Sequence, residues 1–359
     1  MKPHCSVNNK LTKLLDLISI YYKLITMGTL RKVTLADGAG GRGTERLVKE
    51  VFLRYFGEGD PLLDSALLTV KEGSLAFTTD SFVVKPLFFP GGDIGSLSVS
   101  GTINDLAVVG AEPLFLSAGF VIEEGMEVEL LERIAESMGR TAKESGVHIV
   151  AGDTKVVERG SCDGLFINTS GIGRIYRGFR EDYSRIKPGD IVYINGPIGD
   201  HEAALLAVRG NLSFSNQVSS DCTPLWSLVR HLLDSGADIH FMRDPTRGGV
   251  ATVLNEIADA AGVMITLDEK MLPIRDEVLG ACEIFGFDPL YLANEGKIIF
   301  IVEREDRTIF EESLSSLPEG EGFAMIGEVG EGRGVYLRTR LGGMRRLLML
   351  EGMQLPRIC

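Results

Sequence analysis

Residues 74–109 read SLAFTTDSFVVKPLFFPGGDIGSLSVSGTINDLAVV. The pattern over 74–79 predicts a β-strand that ends at Asp80. Phe88-Phe89-Pro90-Gly91-Gly92-Asp93-Ile94-Gly95 has the Pro-Gly punctuation of a turn. Residues 96–109 then continue as a helix that carries Asn104 and Asp105. Strand and helix thus each hold a carboxylate beside small residues, Asp80 and Asp105, with Asp93 in the turn between them.

Working outward, the same arrangement recurs on both sides. Upstream, a short strand over 33–35 leads through Asp37-Gly38-Ala39-Gly40-Gly41-Arg42-Gly43 into a helix over 44–56. A glycine loop at a helix start turns backbone N–H groups toward an anion, although no Gly-Lys-Ser/Thr closes this one as a Walker loop. Asp64 follows in Leu62-Leu63-Asp64-Ser65-Ala66. Downstream, an amphipathic helix over 126–145 precedes a strand over 147–151, with Asp153 at its end in Gly152-Asp153-Thr154-Lys155, and then a strand over 165–172. Asp64, Asp80, Asp105 and Asp153 offer hard oxygen ligands that suit magnesium held jointly with phosphate, and Lys85 and Lys155 lie close in sequence to meet phosphate oxygens.

A charged connector over 176–187 separates this half from a second alternation of helices and strands: helices over 201–209, 224–235, 248–261 and 275–285, with strands over 191–194, 263–267 and 297–302. Asp244-Pro245-Thr246-Arg247-Gly248-Gly249 is a second possible anion loop, and Glu295 stands just before a strand, placed for proton work. His201 and His231 fall in helical patterns and read as packing or surface residues.

Composition sets bounds on this reading. At 359 residues the chain favours two domains over one. A formal charge of −13 repels phosphate backbones, and no basic patch offsets it, so nucleic acid is disfavoured as a partner. The five cysteines are scattered without a C-x-x-C, which disfavours a structural zinc site. Their odd number without a secretory signal points to reduced thiols and the cytoplasm. The apolar patch over 11–25 is short and interrupted by Lys13, Asp16 and Lys23, so no membrane span is expected. Residues 1–29 read as an extension that is peripheral or precedes a start at Met27. The chain ends Pro356-Arg357-Ile358-Cys359, after a glycine pair, Gly342-Gly343, that could serve as a hinge. A terminal thiol on such an arm suggests a covalent carrier, and a prenylation box would need its cysteine four residues from the end.

Taken together, Gly38-Ala39-Gly40-Gly41, Thr79-Asp80-Ser81-Phe82, Pro90-Gly91-Gly92-Asp93, Asn104-Asp105-Leu106-Ala107, Gly152-Asp153-Thr154-Lys155, Gly199-Asp200-His201, Asp244-Pro245-Thr246-Arg247, Asn294-Glu295-Gly296-Lys297 and the terminal Pro356-Arg357-Ile358-Cys359 resemble the HypE family of hydrogenase maturation factors. That family lies in the superfamily of aminoimidazole ribonucleotide synthetase, selenophosphate synthetase and thiamine-monophosphate kinase. The resemblance implies an α+β, two-domain aminoimidazole ribonucleotide synthetase-like architecture. Its N-terminal sheet (30–177) pairs across a homodimer, its C-terminal domain (178–340) is α/β sandwich-like, and a mobile tail (341–359) carries Cys359. It also implies an ATP-dependent carbamoyl dehydratase. A HypF-type carbamoyltransferase loads a carboxamide on Cys359, ATP drives its dehydration to a thiocyanate, and HypC- and HypD-type partners receive the cyano group on iron. By motif, Asp64, Asp80, Asp105 and Asp153 would bind Mg2+. Gly38, Gly40, Gly41, Thr79, Lys85, Asn104 and Lys155 would bind ATP, with Lys155, Glu295 and Cys359 catalytic.

Two positions depart from the family pattern. Asp37 stands where a histidine is usual, and Ser65 replaces the second aspartate of a pair, which weakens the expected metal corner. Two other readings remain open from sequence: an ATP-dependent kinase or synthetase of a small molecule in the same superfamily, and a non-catalytic maturation scaffold.

Overall fold

The computed structural model describes residues 41–42, 45, 66–70, 73–210, 218–352, 355 and 357–359. The readings for the 1–29 extension, the strand over 33–35, Asp37, Gly38, Gly40, Asp64 and Ser65 lie outside the described residues.

The N-terminal half is built on β1 (Ala66–Val70), β2 (Gly73–Phe82), a small hairpin of β3 (Phe88–Phe89) and β4 (Gly92–Asp93), α1 (Ile94–Val108), β5 (Ala111–Glu123), α2 (Val128–Glu144), β6 (His148–Val157) and β7 (Leu165–Ile175). Its five-stranded sheet runs β1-β2-β7-β5-β6, leaving β6 at an edge. Asp93 starts α1 with a capping box: its carboxylate accepts from Gly95 N at 2.7 Å and Ser96 N at 3.0 Å, while Asp93 N donates to Ser96 Oγ at 3.0 Å. The helix is buried on nearly every side, including Ser98, Ser100, Thr102 and Asn104. Its small residues permit this close packing: a Cβ on Gly95 would lie 2.4 Å from the Ile134 carbonyl oxygen.

Two expectations shift here. β2 continues through Asp80 to Phe82, and β6 runs from His148 to Val157, so Asp80 and Asp153 lie within strands rather than at their ends. Strand parity then separates them. Asp80 pairs in register with Thr169 and Thr169 with Ala118, a row on the buried, helix-facing side. Asp153 pairs with Gly119, Gly119 with Asn168 and Asn168 with Ser81, a row on the opposite, open side. That open side also has an apolar row in which Phe77, Ile172 and Phe115 pair across three strands at 39%, 38% and 45% exposure.

The C-terminal half contains β8 (Ile191–Ile194), α3 (Asp200–Arg209), α4 (Trp226–Ser235), β9 (Ile239–Arg243), α5 (Gly249–Ala261), β10 (Met264–Asp268), α6 (Asp276–Phe285), β11 (Ile299–Val302), α7 (Arg307–Ser315), β12 (Ala324–Gly330), β13 (Gly334–Arg338) and β14 (Met344–Leu347). Its seven strands are ordered β14-β13-β10-β12-β8-β11-β9. One hydrophobic core runs from α1 through Tyr193, Leu228 and Phe300, so the two halves pack as one body around the central helix.

The glycine pair at 342–343 closes a hairpin. Thr339 N donates to Gly343 O at 2.8 Å, and β14 then pairs along β13. The segment outside the sheet therefore begins after Leu347 rather than at Leu341. It returns along the molecule past Gly41, where a Cβ would meet the Leu350 carbonyl oxygen at 2.0 Å, and ends with Ile358 buried.

Candidate active site

The last three residues dock against the loop that follows β2. Val83 N donates to Cys359 O at 3.0 Å and Lys85 N to Arg357 O at 3.3 Å, an antiparallel pairing of the chain end with that loop. The Arg357 side chain reinforces it: Nε donates to Val83 O at 2.7 Å, and the guanidinium meets Asp163, which also pairs with Lys85 at 2.6 Å. Arg209, at the end of α3, donates from Nε to Lys85 O at 2.6 Å and from Nη2 to Arg357 O.

His201 holds the chain end from the other side. A carbonyl can only accept, so Nε2–H donates to Ile358 O at 2.7 Å, and Nδ1 accepts from Ser220 Oγ at 2.8 Å. Burial lowers the His201 pKa, in keeping with the neutral ring this pattern requires. Ser220 is fixed by the Pro90-Gly91 turn, since its N–H donates to Pro90 O at 2.7 Å and a Cβ on Gly91 would lie 2.5 Å from its carbonyl oxygen. The turn motif read from sequence is thus one support of the tail.

The docked thiol faces charged groups from both halves. Burial pushes the Cys359 thiol up to about 12; Arg247 opposes this, while Glu295, Asp80 and Glu202 add to it. Burial also pushes the Glu295 carboxyl well above the usual carboxylate range, helped by Asp221, Asp80 and Asp244 and opposed by Arg247. Asp80 is raised as well, by burial first, against Arg247 and the Ser81 N–H. Arg247 is raised in turn, chiefly by Cys359, against burial, and further by Asp80, Glu295 and Asp105. Asp105 accepts from Thr78 Oγ1 at 2.7 Å.

The Glu295 loop is itself anchored. Asp221 accepts from Glu295 N at 3.1 Å and Gly296 N at 3.2 Å and pairs with Lys297 at 3.2 Å. Burial raises Asp221, but Lys297, His201 and these contacts outweigh it and hold the carboxyl low. Glu202 accepts from Ala293 N at 2.7 Å, two residues before Glu295.

Of the residues expected from sequence, Cys359, Glu295, Asp80 and Asp105 come together here. Asn104 is placed beneath them with its amide fully used: Nδ2 donates to Thr223 O at 3.0 Å and Glu295 O at 3.2 Å, and Oδ1 accepts from Leu225 N at 2.8 Å. Within this chain Asn104 positions the Glu295 loop rather than facing a ligand. Thr79, Asp153 and Lys155 lie on the open side of the sheet. Thr79 Oγ1 accepts from Ser170 Oγ at 2.9 Å, and Lys155 pairs with Asp153 at 3.2 Å, both well exposed. Of the three residues expected to be catalytic, Cys359 and Glu295 therefore come together in one copy of the chain, and Lys155 lies on the other side of the sheet. Lys85 is exposed on the Asp163 side. Gly41 contacts the returning tail.

Sequence reasoning did not assign His201, Glu202, Arg209, Asp221, Arg247 or Arg357. For Arg247 the signal was present in the Asp-Pro-Thr-Arg-Gly-Gly turn, whose glycines suggested backbone rather than guanidinium chemistry. The acidic donor set also fits a hard cation: Asp80 adds to the burial that raises Glu295, and Glu295 Oε1 is buried without a hydrogen-bond partner.

Residues 63–175 match the family model for the N-terminal domain of AIR synthase related proteins, and residues 187–340 match that for the C-terminal domain. The carbamoyl dehydratase HypE of Rhodobacter capsulatus is 48% identical over 334 residues, covering 91% of this chain and 98% of the relative. The Escherichia coli K12 carbamoyl dehydratase HypE is 42% identical, covering 92% of this chain and 100% of the relative. Among solved structures, HypE in a HypE–HypF complex aligns with a TM-score of 0.80 at 48% identity, covering 85% of this chain and 99% of that one. A HypE structure in complex with ATP aligns at 0.77 and 47%, covering 91% and 100%. The thiamine monophosphate kinase of Aquifex aeolicus, 18% identical at a TM-score of 0.63 over 82% of this chain and 97% of that one, shares the fold. With both domain models matched and relatives this similar along most of its length, the chain belongs to the HypE family of carbamoyl dehydratases, within the AIR synthase related proteins.

Proposed function

We propose that this chain uses ATP to dehydrate a carboxamide carried on Cys359 to a thiocyanate, supplying the cyano ligand of a nickel-iron hydrogenase. The observation that supports this most directly is the C-terminal thiol docked among Glu295, Arg247 and Asp80 by His201, Arg209 and the Val83–Lys85 backbone.

The amide oxygen is a poor leaving group, so it must be converted first. It attacks the γ-phosphorus of ATP as one N–H proton is lost, giving an imidate phosphate and ADP. Removal of the second N–H proton forms the C≡N bond as the C–O bond breaks and phosphate departs. Glu295 is the proton acceptor: its oxygen without a partner, in a buried acidic setting, makes a carboxylate of raised basicity. Arg247 steadies negative charge beside the reacting group. Asp80 and Asp105, with Asp64 outside the described residues, would hold Mg2+, which neutralises phosphate charge when bound.

Thr79 and Lys155, expected to bind ATP, and Asp153, expected to bind Mg2+, are assigned to those roles through a homodimer. The open side of the sheet carries Phe77, Phe115 and Ile172, and edge strand β6 adds Val150 at 62% and Val156 at 66% exposure. Apolar rows beside an unpaired edge suit pairing with a second copy, which would place Asp153 and Lys155 at a boundary between protomers. HypF-type, HypC-type and HypD-type proteins are the proposed partners for loading and for transfer to iron. No described helix is long and apolar enough to cross a membrane.

Intact-protein mass spectrometry after incubation with a HypF-type carbamoyltransferase, carbamoyl phosphate and ATP tests the reading. The expected record is gain of one carboxamide followed by ATP-dependent loss of one water. Water loss that persists in Cys359→Ala would overturn it.

A further inference from the structure

At the opposite end of the C-terminal sheet from Cys359, three neighbouring strands bring together His240, Asp190, Asp238 and Glu303. Asp190 precedes β8, Asp238 precedes β9 and Glu303 follows β11. The register joins them: Ile191 pairs with Val302, Ile239 pairs with Val302, and Glu303 N donates to Asp238 O at 3.0 Å. Strands of about four residues separate this cluster from the Asn195, Arg247 and Lys297 end, roughly 13 Å at 3.3 Å per residue.

His240 is 3% exposed and Asp190 is fully buried. His240 Nδ1 lies 2.7 Å from Asp190 Oδ2, which also accepts from Lys187 N at 2.9 Å. A carboxylate can only accept, so Nδ1 donates to Asp190 and Nε2 is the ring nitrogen left to meet a metal. Nε2 lies near two more carboxylates, Asp238 Oδ2 at 3.5 Å and Glu303 Oε2 at 3.6 Å. Both distances are too long for hydrogen bonds. Bonds of about 2.0–2.2 Å to a tetrahedral ion place neighbouring ligand atoms about 3.3–3.6 Å apart, close to the two distances found at Nε2, and Asp190, His240 and Glu303 have ligand atoms within 4.8 Å of one another. Independently, Asp190 Oδ1 is buried without a hydrogen-bond partner. A carboxylate that orients a ligating imidazole through its other nitrogen is the usual outer support of such a site.

We propose that His240, Asp238 and Glu303 form a binding site for a divalent transition ion of the zinc class, oriented by Asp190 and separate from the nucleotide and thiol site. Two cations already attend the acidic groups. Arg185 binds Asp238 Oδ1 and leaves Oδ2 toward His240, while Lys187 pairs with Glu303 Oε2. Lys187 is 55% exposed and can swing into solvent, so it is the group the metal displaces. The ion would pin the ends of β8, β9 and β11 together.

The test uses the full-length protein stripped with a chelator and titrated with Zn2+ alone by calorimetry, and with Co2+ by absorption. One saturable ion is expected, with tetrahedral Co2+ bands and no thiolate-to-metal charge transfer. Asp190→Asn should weaken binding about 10- to 100-fold, and His240→Ala should abolish it. Asp238→Asn, on a half-exposed side chain, should also remove it with the fold intact, and Lys187→Gln should tighten it. Thiolate charge-transfer bands, no saturable ion, or an affinity unchanged in Asp238→Asn and His240→Ala would overturn the assignment.

Discussion

Replacing Glu202 with glutamine isolates one buried charge beside the Glu295 loop. Glu202 is 1% exposed; Oε2 accepts from Ala293 N at 2.7 Å, and Oε1 has no hydrogen-bond partner. Burial pushes its carboxyl up from 4.5 to about 7, with the Ala293 N–H and Arg209 opposing. Between those values the folded chain keeps a proton that the unfolded chain has released. The native state therefore loses stability as pH rises through about 4.5 to 7 and is level above. At 1.36 kcal/mol per pH unit, that window is worth about 3 kcal/mol. Glutamine does not titrate and can keep the bond to Ala293 N. Its amide group lacks an acceptor where Oε1 stood, a loss of about 1–2 kcal/mol that does not depend on pH. Calorimetric melting of both proteins at pH 4.5 and pH 8 separates the two effects. The variant should gain relative to the parent by about 3 kcal/mol between the two pH values, a shift in relative Tm of about 4 °C for a 359-residue chain that melts as one body. A difference in Tm that is the same at both pH values would refute the buried-charge reasoning.

Further outcomes follow from the same geometry. Glu295 must lose its proton to act, so the acid limb of the pH–rate profile should lie above the usual carboxylate range, and Glu295→Gln should abolish dehydration; a limb near pH 4 would count against Glu295 as the base. Arg247→Gln should slow ATP-dependent dehydration about 100-fold while leaving carbamoyl loading intact, measured by intact mass over time. His201→Phe leaves the Ile358 carbonyl unsatisfied and should raise the alkylation rate of Cys359 about tenfold, with unchanged labelling as the contrary result. Phe115→Asp on the open face should shift sedimentation from dimer to monomer, and a parent that sediments as a monomer would sink the homodimer.

The acidic motifs, the central helix and the thiol of Cys359 were legible because each rests on local chemistry: a capping box at Asp93, small residues along α1, and a cysteine in the run Pro356-Arg357-Ile358-Cys359. What lay beyond reach was parity. Ala111–Glu123 mixes Gly119, Ser117 and Pro113 among its apolar residues, so β5 was not read as a strand, and its irregular register near Leu116 and Ser117 helps set which way Asp153 points. Asp80 and Asp153 look equivalent in sequence and fall on opposite faces of one sheet. His201 was read as a packing residue because its partner, the Ile358 carbonyl, is 157 residues away. The Gly342-Gly343 pair satisfied a hinge and a hairpin turn equally until β14 was seen to pair with β13.

The docked thiol also bears on the order of events. With its pKa pushed up to about 12 by burial and by Glu295, Asp80 and Glu202, Cys359 in this position is held as the neutral thiol at physiological pH. The thiolate is the nucleophile, so the docked chain end is poorly disposed to accept a carbamoyl group. The same acidic surroundings place no such penalty on a thiocarboxamide, which is uncharged and carries N–H donors toward Glu295. Loading is therefore expected at an undocked chain end, where a HypF-type partner could reach the thiol, and dehydration at the docked one. The contacts that hold the end are suited to this exchange. Apart from Ile358, they fall on backbone groups and on Arg357, through Val83, Lys85, His201 and Arg209. Among the described residues, these hydrogen bonds that hold the chain end fall on its backbone and on Arg357, and none of them falls on the sulfur.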